Sequence, residues 1–475
     1  MSTLRAPTQA SEIVVKNDPY VGLACALRNW LLMTELLIVG ALVWQTPLAA
    51  QMDSEKRGSD NLTVVAHLPL GGAESMADIE IEQDMSRPFV YVARQMRRED
   101  RRAAGTPGDR GLDILDISDP ENPVVIHRWR IEDSDLHVGA GGKDIKTFEW
   151  EGRHYIVLSF QFRQGGPNGD LGAIVFDVTG LPDASTFREV GRIQGPGELA
   201  GFHNAYVYRH TNGRPLLFAT VAAPHANIYD LGYLVEGTED PLVATVPIPQ
   251  SEQVPGGRGY HDFYVGYHAD SEQDRFYGGG TGGYYVYNIT DLEDPKLLVT
   301  LTGVRGVDRG HTFTPSPDGR YVVAEVEYQY APLRIFDLEP GLTGQVSNIN
   351  QPIAAWFANP QNLVHNHEVR WPLVFVSAYR DGLQVFSLQD PKKPRTVAHY
   401  DTYLEPEGAG VTTGGWGVDV RNDDGLIVLS DKETGFWAFR LEGFNGWNGL
   451  DHGMPNLSSV QDWENGPEVQ ARTRR

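Results

Sequence analysis

One short pattern returns seven times along the chain, and this repetition restricts the fold more than any other feature. Alternating apolar residues lead to an Asp or its stand-in, then a further apolar residue and a turn. The marker residue falls at Asp116, Asp177, Asp230, Asn288, Asp337, Ser387 and Arg440, with 49–61 residues between successive copies. Propeller blades run roughly 40–50 residues each, so the period is that of a blade. The copy at 365–400 shows the strand order best. His365–Arg370, Leu373–Ala378, Leu383–Leu388 and Arg395–Tyr400 are four alternating segments separated by turn residues. Pro391 and Pro394 lie where the chain must turn and where strand hydrogen bonding is absent. Four antiparallel strands per unit form a blade, and a ring of blades buries the faces that one blade leaves open. The reading is all-β, a seven-bladed β-propeller over 62–443.

Ring closure follows from the two ends of the repeat. The seventh copy stops after its third strand, at Leu441. Leu62–Pro69 resembles the fourth strands Pro123–Trp129 and Pro394–Tyr400, so an N-terminal strand is expected to complete the last blade. Such closure removes two exposed sheet edges. The segment 444–475, with Gly, Asn, Asp, Pro and scattered Trp, is expected to be a loose or packed tail.

Composition narrows the function. Lys+Arg 40 against Asp+Glu 63 gives a net charge of −23, which excludes the basic footprint of a nucleic-acid binder or a polybasic membrane-surface protein. The single cysteine, Cys25, excludes an intrachain disulfide framework, thiolate metal clusters and CxxC redox chemistry. Residues 30–44 are an apolar run preceded by Arg28 and followed by small residues up to Ala50. These are the parts of a secretory signal peptide, and the run is shorter than a transmembrane span of ~20 residues. The expected layout is an export segment over 1–50 and a linker over 51–61. Cleavage would give a periplasmic or secreted monomer with no integral membrane domain. Glu35 inside the run and the long stretch before Arg28 support the alternative, an uncleaved anchor.

The third-strand motif is similar to the LVIVD repeat of bacterial β-propeller proteins, whose pattern is Gly-Leu-x-(Ile/Val)-x-Asp-(Ile/Val)-Ser-Asp-Pro-x-x-Pro. Gly111–Pro123, Gly382–Pro394 and Tyr284–Pro295 carry the resemblance, which extends over most of 62–441. Copies two, three and seven depart from it, because the Asp-Pro-x-x-Pro turn is absent there. The resemblance implies the fold and a bacterial exported or surface protein. It implies no particular activity.

Four consecutive copies open their first strand with a histidine: His203, His261, His311 and His365, each 22–27 residues before the repeat marker. The first strand of a blade lines the central channel, so these side chains are expected to converge on one axis. Imidazoles in that arrangement suit Fe, Cu or Zn. The layout is similar to the four-histidine iron site of carotenoid-cleaving propellers and, more loosely, to the histidine-rich methanethiol oxidases. His367, two residues beyond His365, is expected on the same strand face as a fifth ligand or a spare. The other copies place Asp78/Glu80, Lys143/Asp144 and Trp416/Asp419 at comparable positions, as partners fixing histidine tautomers or as a general base. Glu325 and Glu327 face either the channel or solvent. The competing reading is architectural, with each ring capping its strand against the next blade.

Other chemistry finds no support. The chain has no G-x-S-x-G elbow and no P-loop, and Gly278–Gly283 reads as a flexible hairpin segment, so no nucleotide cofactor is expected. Asp113 and Asp381 read as turn or surface residues. Two functions remain. One is a binding or scaffold module for a protein, glycan or small-molecule ligand. The other is a metal-dependent oxidase, dioxygenase or hydrolase with its ion on the histidines and no catalytic residue assigned.

Overall fold

The computed structural model describes residues 57–71, 75–96, 110–131, 139–162, 171–194, 201–253, 259–403, 410–449 and 461–467. The expected export segment and residues 51–56 of the linker lie outside them. Within the described residues the strands form seven four-stranded antiparallel sheets. The protein is therefore an all-β, seven-bladed β-propeller. Six blades are continuous in sequence, over 76–130, 139–194, 205–247, 260–302, 313–356 and 366–400. The seventh joins Gly415–Val420, Ile427–Asp431 and Gly435–Leu441 to Leu62–Leu68, which pairs with Gly435–Leu441 so that Leu62 faces Leu441.

Burial explains the sequence pattern. In blade one, Met76–Ile81 and Phe89–Arg94 are buried along their whole length, while the outer strand Val124–Arg130 is half exposed. Neighbouring blades cover both faces of the inner strands, so those strands read as near-continuous apolar runs; the outer strand keeps polar residues. The apolar clusters span the blade interfaces. One joins Phe89, Tyr91 and Ile114 of blade one to Ile156, Leu158 and Phe176 of blade two. Another joins Val323 and Ile335 of blade five to Val374 and Phe386 of blade six.

The repeated Asp has a definite job. Asp116 Oδ1 accepts from the Ser118 backbone at 2.8 Å, Asp177 from Thr179 at 3.0 Å and Asp337 from Glu339 at 3.0 Å. Asn288 does the same for Thr290 at 3.0 Å. These Asx-type bonds start the turn that leaves the third strand. Asp177, Asp230 and Asp337 also hold arginines of their own blade, Arg188, Arg214 and Arg320. Asp113 differs from expectation. It lies inside a strand, fully buried, where it pairs with Arg94 at 3.2 Å and Arg130 at 2.5 Å. A near-identical apolar-Asp-apolar context hid this pair in the sequence.

The tail is packed where it is described. The Phe444 ring lies 5.2 Å from that of Phe375, the Trp447 indole donates to the Trp371 carbonyl at 2.9 Å, and Gln461 Nε2 donates to the Val207 carbonyl at 2.8 Å.

Candidate metal centre

The innermost strands enclose an axial cavity of about 60 Å³, lined by Asp78, Asp144, Asn204, Asp262, Thr312, Asn366 and Val418 among others. Each of the four phased histidines directly precedes one of these residues. The backbone explains their placement. In blade four the pairing shifts register between Tyr260 and Asp262, which leaves His261 as the extra residue of a bulge. The same shift in blade seven, between Gly415 and Gly417, leaves Trp416 extra, and that in blade two, between Gly142 and Ile145, takes in Lys143 and Asp144. A bulge turns one side chain out of the strand alternation. His203, His311 and His365 stand just before strands Ala205–Arg209, Phe313–Pro315 and Asn366–Arg370.

The four rings form a string. Centroids step 4.6 Å from His203 to His261, 4.2 Å on to His311 and 5.3 Å on to His365. Trp416 continues it, 3.9 Å from His365, with the Lys143 and Lys432 ammonium groups 4.6 and 5.0 Å from its ring. His367 lies apart. Among the described residues no ring contact links it to the other four. It sits within the strand opposite Val376, and burial, with the nearby His311 charge, lowers its pKa to about 3. His365 stands one residue before the strand and His367 within it, so strand alternation does not relate the two side chains.

At the centre of the string, ligand atoms of His261, His311 and Glu327 lie within 4.8 Å of one another. His311 Nε2 stands 3.9 Å from Glu327 Oε2. On the opposite edge of the ring, His311 Nδ1 meets Glu325 Oε2 at 2.7 Å. Glu325 is fixed there because the His311 amide donates to the Glu325 carbonyl and the Glu325 amide donates to the Thr312 carbonyl, at 2.9 and 3.0 Å. Burial opposes charge on His311, but the Glu325 and Glu327 carboxylates outweigh it and raise its pKa to about 9. Burial raises Glu325 to about 7 against the pull of His311. His365 is different. Its Nδ1 donates to the Trp416 carbonyl at 2.8 Å, and burial, then His311, hold it neutral with its pKa well below the usual value. Its Nε2 therefore carries the lone pair.

The acids expected to support the histidines are occupied elsewhere. Lys146 gathers Asp78 at 2.6 Å, Asp144 at 2.7 Å and Glu80 at 3.7 Å. Asp419 accepts from the Ile81 and Val420 amides at 3.0 and 2.7 Å and faces Arg370 at 3.4 Å. Burial, then the Glu368 charge, raise Asp419 from 3.8 to about 7 despite Arg370. The folded chain therefore holds this proton more tightly than the unfolded chain. That contribution to stability is complete below about pH 4 and is lost as pH rises through about 7. Asp419→Asn is expected to flatten the fall of stability across this window in melts taken over a pH series. Parallel curves for variant and wild type would contradict it.

The glycine run is also not a flexible hairpin. Gly278, Gly279 and Gly280 belong to strand Gln273–Gly280, and a Cβ on Gly279 would lie 1.8 Å from the His311 carbonyl oxygen. The run is the seat on which the His311 segment rests. No protein-family model matches the chain, and no curated protein matches it.

Proposed function

We propose that this propeller binds one divalent first-row transition ion, Fe, Cu or Zn, through His261, His311 and Glu327. The carrying observation is the approach of these three ligand atoms to within 4.8 Å. The donor set supports it: two imidazoles and a carboxylate suit these ions. Glu325 supports it further. A metal-binding histidine commonly donates its second N–H to a carboxylate, which fixes the tautomer and the ring. His311 Nδ1 lies 2.7 Å from Glu325 Oε2 and 2.9 Å from Thr312 Oγ1, so that edge of the ring is occupied and Nε2 is left towards Glu327.

Three protein ligands leave open positions for water or substrate. His203 and His365 stand next in the string on either side of His261 and His311, and the neutral His365 Nε2 would be able to bind the ion or to take a proton from a bound ligand. A redox ion would make the site an oxidase or dioxygenase; Zn would make it a hydrolase. The same site without turnover makes the protein a metal-bearing binding module for a protein, glycan or small molecule. The buried His311–Glu325 ion pair favours a module that holds no ion at all, because a protonated His311 is already electrostatically satisfied without one. The LVIVD-type motif and the apolar run at 30–44 support an exported protein of that repeat family.

Elemental analysis of protein purified without chelator or affinity histidines tests the reading. One equivalent of ion is expected in the wild type. Less than a tenth is expected in His311→Ala, because removing a central ligand leaves only a fragment of the site. Equal metal content in the two proteins, or none in either after incubation with Fe, Cu and Zn, would contradict it.

A further inference from the structure

Tyr379 has a backbone that its side chain does not favour. It follows strand Leu373–Ser377 of blade six, and its φ is +42°. A bulky residue in the left-handed region is an outlier that persists only where its surroundings hold it. Here they do. The Tyr379 amide donates to the Gly415 carbonyl at 3.0 Å, and its carbonyl accepts from the Gly415 and Gly382 amides, each at 2.9 Å. The approach is close enough that a Cβ on Gly414 would lie 2.3 Å from the Tyr379 carbonyl oxygen.

This conformation sends the phenol inward. The side chain is fully buried, edge-on to His365 at 5.2 Å and to Trp416 at 5.9 Å. Its hydroxyl donates to Glu327 Oε1. The other oxygen of that carboxylate, Oε2, is the one facing His311 Nε2. A phenol needed only to fill space would be replaced by any ring of the same size. A phenol whose proton occupies one carboxylate oxygen decides how the carboxylate meets an ion.

We infer that Tyr379 is a positioning residue for the metal site, which rests on the reading proposed above. It reserves one oxygen of Glu327, so that Glu327 offers the ion a single oxygen. It thereby sets both the affinity of the site and the number of ligands around the ion. Blade six in this way controls a ligand carried by blade five.

Cobalt(II) is the probe, because its visible bands report coordination number. Y379F keeps the ring and removes the hydroxyl. Its metal-free melting temperature is expected to equal that of the wild type. Its Co²⁺ dissociation constant is expected to rise roughly 10–100-fold, the usual effect of removing a group that orients a ligand. Its d–d absorption is expected to weaken as Glu327 turns to offer both oxygens. Wild-type affinity with a wild-type spectrum in Y379F would overturn the inference and leave the metal site standing. Failure of the wild type to take up Co²⁺ would remove both. If Y379F melts early without metal, the E327Q background decides. There, adding Y379F is expected to change residual Co²⁺ affinity less than about twofold, because the carboxylate whose second oxygen it reserves is gone. The full 10–100-fold loss in that background would overturn the inference.

Discussion

Gly279→Ala is expected to cost the fold at least about 1–3 kcal/mol and to take metal binding with it. The new methyl carbon would meet the His311 carbonyl oxygen at 1.8 Å, its carbon at 2.8 Å and the Gly310 carbonyl carbon at 3.0 Å. All three are backbone atoms, so no side chain can swing aside. The segment they belong to is pinned from both sides. The Gly310 amide donates to the Gly280 carbonyl at 2.8 Å, and the His311 amide to the Glu325 carbonyl at 2.9 Å. Relief must therefore shift the His311 backbone and with it the ring. Gly410, with nothing within 4 Å of its Cβ position, is the control; Gly410→Ala is expected to be near neutral. Urea melts and metal content of the two variants check this together. Wild-type stability and full metal loading in Gly279→Ala would show that the glycine seam does not set His311.

Arg370→Met is expected to destabilise the ring by about 3–5 kcal/mol, the range for breaking a buried ion pair from one side. Arg370 is fully buried, and its guanidinium ties blade six to blade seven. It reaches Glu368 at 2.7 Å, Asn422 Oδ1 at 2.6 Å, the Val420 carbonyl at 3.0 Å and Asp419 at 3.4 Å. Methionine fills the volume but leaves the Asp419 carboxylate and the Val420 carbonyl without their donor. Protonated Asp419 needs no cation, so the loss is expected to shrink as pH falls below about 7. Asp419→Asn is expected to recover part of the loss in the double variant. Additive losses in a double-mutant cycle would show that the two side chains act independently.

The repeat was legible because each blade solves the same burial problem. The inner strands need apolar residues on both faces, and the Asp at the end of the third strand needs the next turn's amide. The first leaves its mark in all seven copies, the second in the five that carry Asp or Asn. The phase of His203, His261, His311 and His365 was legible for the same reason, since a fixed place in the repeat is a fixed place in the blade. What lay hidden depends on departures from strand alternation. The register shifts that free His261 and Trp416 leave no mark in residue type. Buried Glu325 and half-buried Glu327 carry no sequence mark of their place; only the His311 segment that the fold brings opposite them sets them apart. The separation of His367 from the other four rings was hidden because alternation does not run through a strand start. Gly279 looked like slack because a close backbone contact and a loose loop both call for glycine, and Asp113 looked like surface because its arginines, Arg94 and Arg130, come from neighbouring strands.

The most direct measurement is an anomalous difference map from crystals of the chelator-free protein loaded with Zn²⁺, recorded at the zinc edge. A single strong peak is expected between blades four and five, about 2.0–2.2 Å from a nitrogen of His261, Nε2 of His311 and one oxygen of Glu327. A map without a peak there, or with the only strong peak elsewhere on the chain, would contradict the metal centre and leave the four histidines as architecture.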